Sequence, residues 1–290
     1  MKWTSGRSSR VALGVMALLG GLVSSNANAV LVTEWEYTVR NGFDNWTPAA
    51  SGAQPFAVQG DSIGSLGLPT RLRWGRTDPN NTNPANIDPD LQSQLIVTDP
   101  ISGPPPNLIT NGPFIPGATL THVNNVIYDF NQALQTTDLL TNITLTPLQP
   151  VAGDPATSPT LAFNIRFKET ENADPNCPVN SPDNACGDIF VLLNPEDLAV
   201  PIPGAVFGAS FADTNYLALI TLQGLGPLSA EQCAASGAAA GCTGLTTEEG
   251  QENTFQAFFA IRAVPEPSSL ALAGLALLGL GGLGMRRRRS

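Results

Sequence analysis

The chain holds one histidine, and it stands in the run Thr121-His122-Val123-Asn124. On a strand, His122 and Asn124 share one face and Thr121 takes the other. Two polar side chains at that spacing can bond the backbone of a neighbouring strand or loop. A buried imidazole with a satisfied ring N–H is a common structural lock. Thr121, His122 and Asn124 are therefore assigned a structural role, with contact to a ligand and catalysis as the alternatives. A second run, Gly60-Asp61-Ser62-Ile63-Gly64, matches the G-x-S-x-G nucleophile elbow, with His122 downstream. The elbow needs a strand before it and a helix after it. Residues 65–73 contain Gly67 and Pro69 and then read as a strand. Serine hydrolysis is thus a distant alternative, and no residue is assigned as catalytic.

Metal chemistry has few candidates. A single histidine cannot build a histidine-rich centre. Cys177 and Cys186 form one pair and Cys233 and Cys242 another, each with eight residues between partners. Local pairing into two disulfides is the simplest of three connectivities. The alternative, a four-cysteine zinc site, usually wants about two to four residues between ligands of a knuckle. No residue is assigned as a metal ligand, and no cofactor is expected. Calcium is the ion that oxygen-bearing turns could hold. The candidates are Asp78-x-Asn80, Asp88-x-Asp90 and the segment from Asn172 to Asp188, none with the spacing of an EF-hand loop. The same residue types shape solvated turns without any ion.

The elements that must position these groups are strands. Leu161, Phe163, Ile165 and Phe167 alternate with Ala162, Asn164, Arg166 and Lys168, the period of a half-buried strand. Trp35, Tyr37 and Val39 alternate likewise near the start, and Phe255, Ala257, Phe259 and Ile261 near the end. Leu72 and Trp74 point one way from a short strand, and Arg71 and Arg73 the other. Residues 189–193 and 216–222 are continuous apolar runs of strand type. Helical turns are expected only near residues 131–140 and 195–198. Segments rich in asparagine, aspartate, proline and glycine separate the strands. No repeat of fixed period is present, which argues against a solenoid or propeller. The expected fold is all-β, a single β-sandwich or jelly-roll-like domain over residues 30–263.

Both ends carry addresses. Lys2, Arg7 and Arg10 precede an apolar stretch, and Ala27-Asn28-Ala29 is a small-x-small site. Residues 1–29 therefore read as a signal peptide, cut by signal peptidase after Ala29. At the other end Val264-Pro265-Glu266-Pro267 leads into an apolar run, residues 268–285, and then Arg286, Arg287, Arg288 and Arg289. The prolines hold an extended, accessible segment. Eighteen residues as a transmembrane helix span about 27 Å, enough for a thin bilayer. The arginines stay on the cytoplasmic side and fix orientation.

Residues 264–290 resemble the sorting signal of PEP-CTERM proteins. The resemblance implies recognition and cutting by an exosortase. It places the chain transiently in the inner membrane of a Gram-negative bacterium, through its C-terminal helix, and then at the outer cell surface or in the extracellular matrix. Thr121-His122-x-Asn124 is similar to the THxN family of such proteins. Trp35-x-Tyr37, Leu72-Arg73-Trp74-Gly75, Glu169-Thr170-x-Asn172 and Gly244-Leu245-Thr246-Thr247-x-Glu249 extend that resemblance across the exported region. Because such systems accompany exopolysaccharide production, a structural or interaction role in biofilm is implied, with extracellular polysaccharide as partner. A glycan- or calcium-binding module is the alternative.

Composition narrows the partners. Residues 30–264 carry seven basic and 23 acidic side chains, hence a net charge of −16. A field of that sign repels nucleic acid and anionic lipid, and favours cations or neutral polysaccharide.

Overall fold

The computed structural model describes residues 30–48, 58–75, 88–102, 107–127, 133–151, 153, 155–171, 177, 179, 186–195 and 199–264. Among these are sixteen strands. In chain order they are β1 (Glu34–Pro48), β2 (Gln59–Ile63), β3 (Pro69–Trp74), β4 (Ser93–Val97), β5 (Ile101–Ser102), β6 (Leu108–Ile109), β7 (Ile115–Val123) and β8 (Leu134–Gln149). Then follow β9 (Ala156–Thr157), β10 (Leu161–Lys168), β11 (Asp188–Leu192), β12 (Ala199–Ile202), β13 (Asn215–Leu222), β14 (Gly226–Pro227), β15 (Thr243–Thr247) and β16 (Glu252–Val264). One short helix, α1 (Ala230–Ala235), lies between β14 and β15.

The strands form two antiparallel sheets. The first runs β14-β15-β11-β10-β8-β1-β5, with β6 also on β1 and β9 on β8; the second runs β12-β13-β16-β7-β4-β3-β2. The chain crosses from one sheet to the other repeatedly, so neighbours in sequence face each other across the interior. The all-β expectation holds. Inward side chains of both sheets meet in two cores. In one, Trp35 of β1 packs edge-on to Tyr216 of β13 with centroids 5.0 Å apart, and Tyr37 packs edge-on to Phe259 at 4.7 Å. In the other, Leu72, Trp74, Leu95 and Leu120 of the second sheet pack with Phe43, Ile165, Phe167, Phe190 and Leu245 of the first. Between the two cores the sheets leave an apolar cavity of about 100 Å³, bordered by Val39, Val97, Ile165 and Phe259 among others.

The alternating runs sit where period two requires. Phe163, Ile165 and Phe167 are buried, and Arg71 and Arg73 turn outward while Leu72 and Trp74 turn in. The apolar run of β11 is buried on both faces. Ile189 and Val191 pack outward against Leu228, Ala235, Ala238 and Cys242, so the loop carrying α1 covers that side of the sheet. A strand covered on both faces reads as continuous apolar sequence. In β16 the register shifts between Gln256 and Phe258, and the Gln256 amide donates to the carbonyls of Gly117, Ala118 and Ala257 beside the bulge.

Two expectations need correction. Residues 134–140, read as helical turns, are the first half of β8, paired with β1 on one side and β10 on the other. Pairing on both edges overrides the weak local preference. Helix α1 falls where only turns were expected. It is started by a capping box: Ser229 Oγ accepts from Gln232 N at 3.1 Å, and Gln232 Oε1 accepts from Ser229 N at 3.0 Å. The cysteines pair locally, Cys177 with Cys186 and Cys233 with Cys242.

Several sequence-based assignments lie outside the described residues: the signal peptide with Ala27 and Ala29, and the tail from Pro265 to Arg289 with its apolar run. Asp78, Asn80 and Asn172 lie outside them too. Among the described residues no helix is long and apolar enough to cross a membrane.

Candidate functional site

His122 is fully buried on β7, facing the first sheet. Its ring stacks on Trp74 from β3, with centroids 5.7 Å apart and planes 12° apart. The rings of Phe167 and Phe190 close the box edge-on at 5.2 and 5.4 Å. One ring nitrogen, Nδ1, shares a 2.9 Å hydrogen bond with Thr247 Oγ1 at the end of β15. The other, Nε2, has no hydrogen-bond partner and faces Asp188 Oδ2 at 3.8 Å. Burial lowers the imidazole pKa to about 3, so the ring is neutral at any physiological pH.

Asp188 opens β11 and is fully buried. Its Oδ1 accepts from the backbone N–H of Thr170 at 2.9 Å, and Thr170 Oγ1 donates to Gly187 O at 2.8 Å, which pins the end of β10 to the start of β11. Its Oδ2 has no hydrogen-bond partner. Glu169, the residue after β10, is buried as well. Its Oε2 accepts from Trp74 Nε1 at 2.9 Å, and its Oε1 has no hydrogen-bond partner. Glu249 enters from the turn between β15 and β16 and is also buried. One carboxylate oxygen from each of Glu169, Asp188 and Glu249 lies within 4.8 Å of the other two.

Three carboxyl groups so placed cannot all be charged without compensation. Removing a carboxylate from water costs several kcal/mol even after relaxation. Burial accordingly pushes Glu169 up to about 8. Asp188 is raised well above the carboxylate range, first by burial and then by the charge of Glu169. Lys168, exposed at the end of β10, acts on both in the opposite sense and weakly. Two physical states relieve the repulsion: protons on the carboxyls, or a cation between them. The donor set is oxygen from three acids, which suits a hard divalent ion.

The predicted residues fall into two groups. His122 faces Asp188 of this site, Asn124 is fully buried two residues on, and Thr121 points away, sharing a 3.3 Å hydroxyl contact with Thr254. Asn124 holds the turn that carries Glu249: its N–H donates to Gln251 O, and its carbonyl accepts from Gly250 N. Ser62 is elsewhere. It is exposed at the end of the edge strand β2 and donates to Asp61 Oδ1, and a strand follows it rather than a helix. Three strand spacings, about 14 Å, separate β2 from β7. Asp88 and Asp90 are exposed on a short 3-10 turn, where Asp88 Oδ1 accepts from Asp90 N at 3.0 Å and shapes the loop. Of the other five residues that build the site, Trp74, Glu169, Asp188, Thr247 and Glu249, only Asp188 was among the candidate metal ligands in the sequence, as the end of an oxygen-bearing segment. Four of the five stand in the sequence fragments that accompany the histidine motif. Asp188 does not, and only its register opposite Thr247 brings it in.

No curated protein matches the chain. Residues 263–289 match the PEP-CTERM protein-sorting motif. Its match begins within β16, on the last two residues of the folded domain. The chain therefore carries a PEP-CTERM sorting signal, which marks it as an exported, surface-targeted protein addressed to an exosortase.

Proposed function

We propose that this chain is cargo: a β-sandwich translocated behind a signal peptide, held in the inner membrane by residues 268–285, and released when exosortase cuts near Pro265-Glu266-Pro267. The mature domain then serves as a structural or interaction protein of the envelope or extracellular matrix, alongside neutral exopolysaccharide. The observation that carries this reading is the position of β16. It is hydrogen-bonded on both sides, to β13 and β7, and it ends at Val264, one residue before the signal's first proline. Cutting there removes no strand from either sheet. A lysine-poor exported region with net charge −16 suits a matrix of uncharged sugar better than one of acidic polymer. The Thr121-His122-x-Asn124 signature fits the THxN group of such cargo, with His122 and Asn124 as interior braces.

Fractionation of a strain lacking its exosortase tests the reading. The full-length, tailed form should accumulate in the inner-membrane fraction and disappear from the surface and medium. Unchanged processing and release in that strain would refute it.

A further inference from the structure

The carboxyl cluster between the sheets is not explained by sorting. Glu169 follows β10, Asp188 opens β11 and Glu249 lies in the turn between β15 and β16, yet their oxygens converge to within 4.8 Å. Such convergence of like charges away from water opposes folding unless something positive joins them. Independent features point at a ligand in the same place. Asn124 is fully buried on the same face as His122, and neither its Oδ1 nor its Nδ2 has a hydrogen-bond partner. Asp188 Oδ2, Glu169 Oε1 and His122 Nε2 are buried polar atoms without hydrogen-bond partners as well. Native interiors hold few such atoms, and several together mark a missing ion or water.

We propose that Glu169, Asp188 and Glu249 bind one calcium ion, with the Asn124 amide oxygen beside them. Calcium takes oxygen ligands at about 2.3–2.6 Å, so opposite ligands of its shell stand about 4.6–5.2 Å apart. The cluster's oxygens, all within 4.8 Å of one another, can share one such shell. Magnesium, with bonds of about 2.1 Å, usually keeps several of its waters, and three buried carboxyls suit the more fully dehydrated calcium better. The ion joins the first sheet to the turn that leads into β16, so it acts as a clamp between β10, β11 and that turn. Because the domain is exported, it meets calcium outside the cell at concentrations that fill weak extracellular sites, about 10⁻⁴–10⁻³ M.

The test is a titration of the full chain, purified in detergent, stripped with chelator, and then supplied with calcium chloride. Calorimetry should show one calcium per chain, and 1 mM calcium should raise the melting temperature by several degrees, magnesium much less. The indole of Trp74, bonded to Glu169, should report binding by a change in tryptophan fluorescence. Asp188→Asn should weaken binding at least tenfold, whereas Asp88→Asn should leave it unchanged. A flat calcium titration of the wild-type chain, or binding by Asp188→Asn as tight as wild type, overturns the proposal. Should Asp188→Asn not fold, the wild-type comparison of calcium with magnesium decides alone; equal responses to both ions contradict the assignment.

Discussion

His122 Nε2 faces Asp188 Oδ2 at 3.8 Å across the gap between the two sheets, and neither atom has a hydrogen-bond partner. A neutral imidazole from one sheet and a carboxyl from the other thus face each other, both fully buried, at one point between the sheets. The aromatic rings around His122 exclude water from that point.

Removing the ring should be costly. His122→Ala deletes a fully buried side chain that stacks on Trp74 and bonds Thr247. Large-to-small changes of this size cost about 3–5 kcal/mol. Urea unfolding followed by tryptophan fluorescence should show that loss. A change under about 1 kcal/mol would mean that the box does not brace the fold.

The metal-free chain should lose stability as pH rises from about 6.5 to 8. Glu169 has its pKa raised from 4.5 to about 8, so the folded state holds a proton that the unfolded state releases. That contribution is complete below 4.5 and is lost as pH climbs through 8. Asp188, raised in the same way, adds to the trend. His122 works in the opposite sense, since its pKa falls from 6.5 to about 3, but its contribution is complete above 6.5. The other charged groups facing the cluster are Glu249 and Lys168. Chemical denaturation in chelator at a series of pH values reads the slope; a rise in stability over that window would contradict the buried-acid assignment.

Each disulfide should contribute about 2–3 kcal/mol, the chain-entropy value for a loop of this size. The bridge between Cys233 and Cys242 carries α1, which covers Ile189 and Val191 on the outer face of β11. Cys233→Ala with Cys242→Ala should therefore lower the melting temperature and expose that face. Peptide mapping without reductant should recover Cys233 linked to Cys242 and Cys177 linked to Cys186; crossed linkages would refute the local pairing.

The inter-sheet cavity offers a gain. Val97 borders it and is 3% exposed. Val97→Ile adds one methylene to a space of about 100 Å³ and should stabilise by about 0.5–1 kcal/mol. Destabilisation in the same measurement would show that the walls cannot accept the added group.

Much of this architecture was legible in the chain. Strands such as β10 and β3 announce themselves because one face is buried and the other is not, which leaves a period of two in the sequence. The start of β8 was hidden because Thr136, Thr137 and Asp138 carry no such pattern; pairing with two neighbours decides their conformation. Helix α1 was hidden in an alanine- and glycine-rich loop, and only Ser229 with Gln232 signalled it. At the site, His122 and Asn124 stood out because the histidine is alone in the chain. Glu169 and Glu249 did not, and Asp188 did so only as the end of a candidate calcium-binding segment, because a buried acid and a solvated turn acid look alike until the fold brings them together.

The most direct measurement is the intact mass of the mature protein recovered from the surface or medium of its host. The account predicts a chain that begins at Val30 and ends at or before Pro267, without Arg286–Arg289. A recovered molecule that retains both Met1 and the four C-terminal arginines would contradict it.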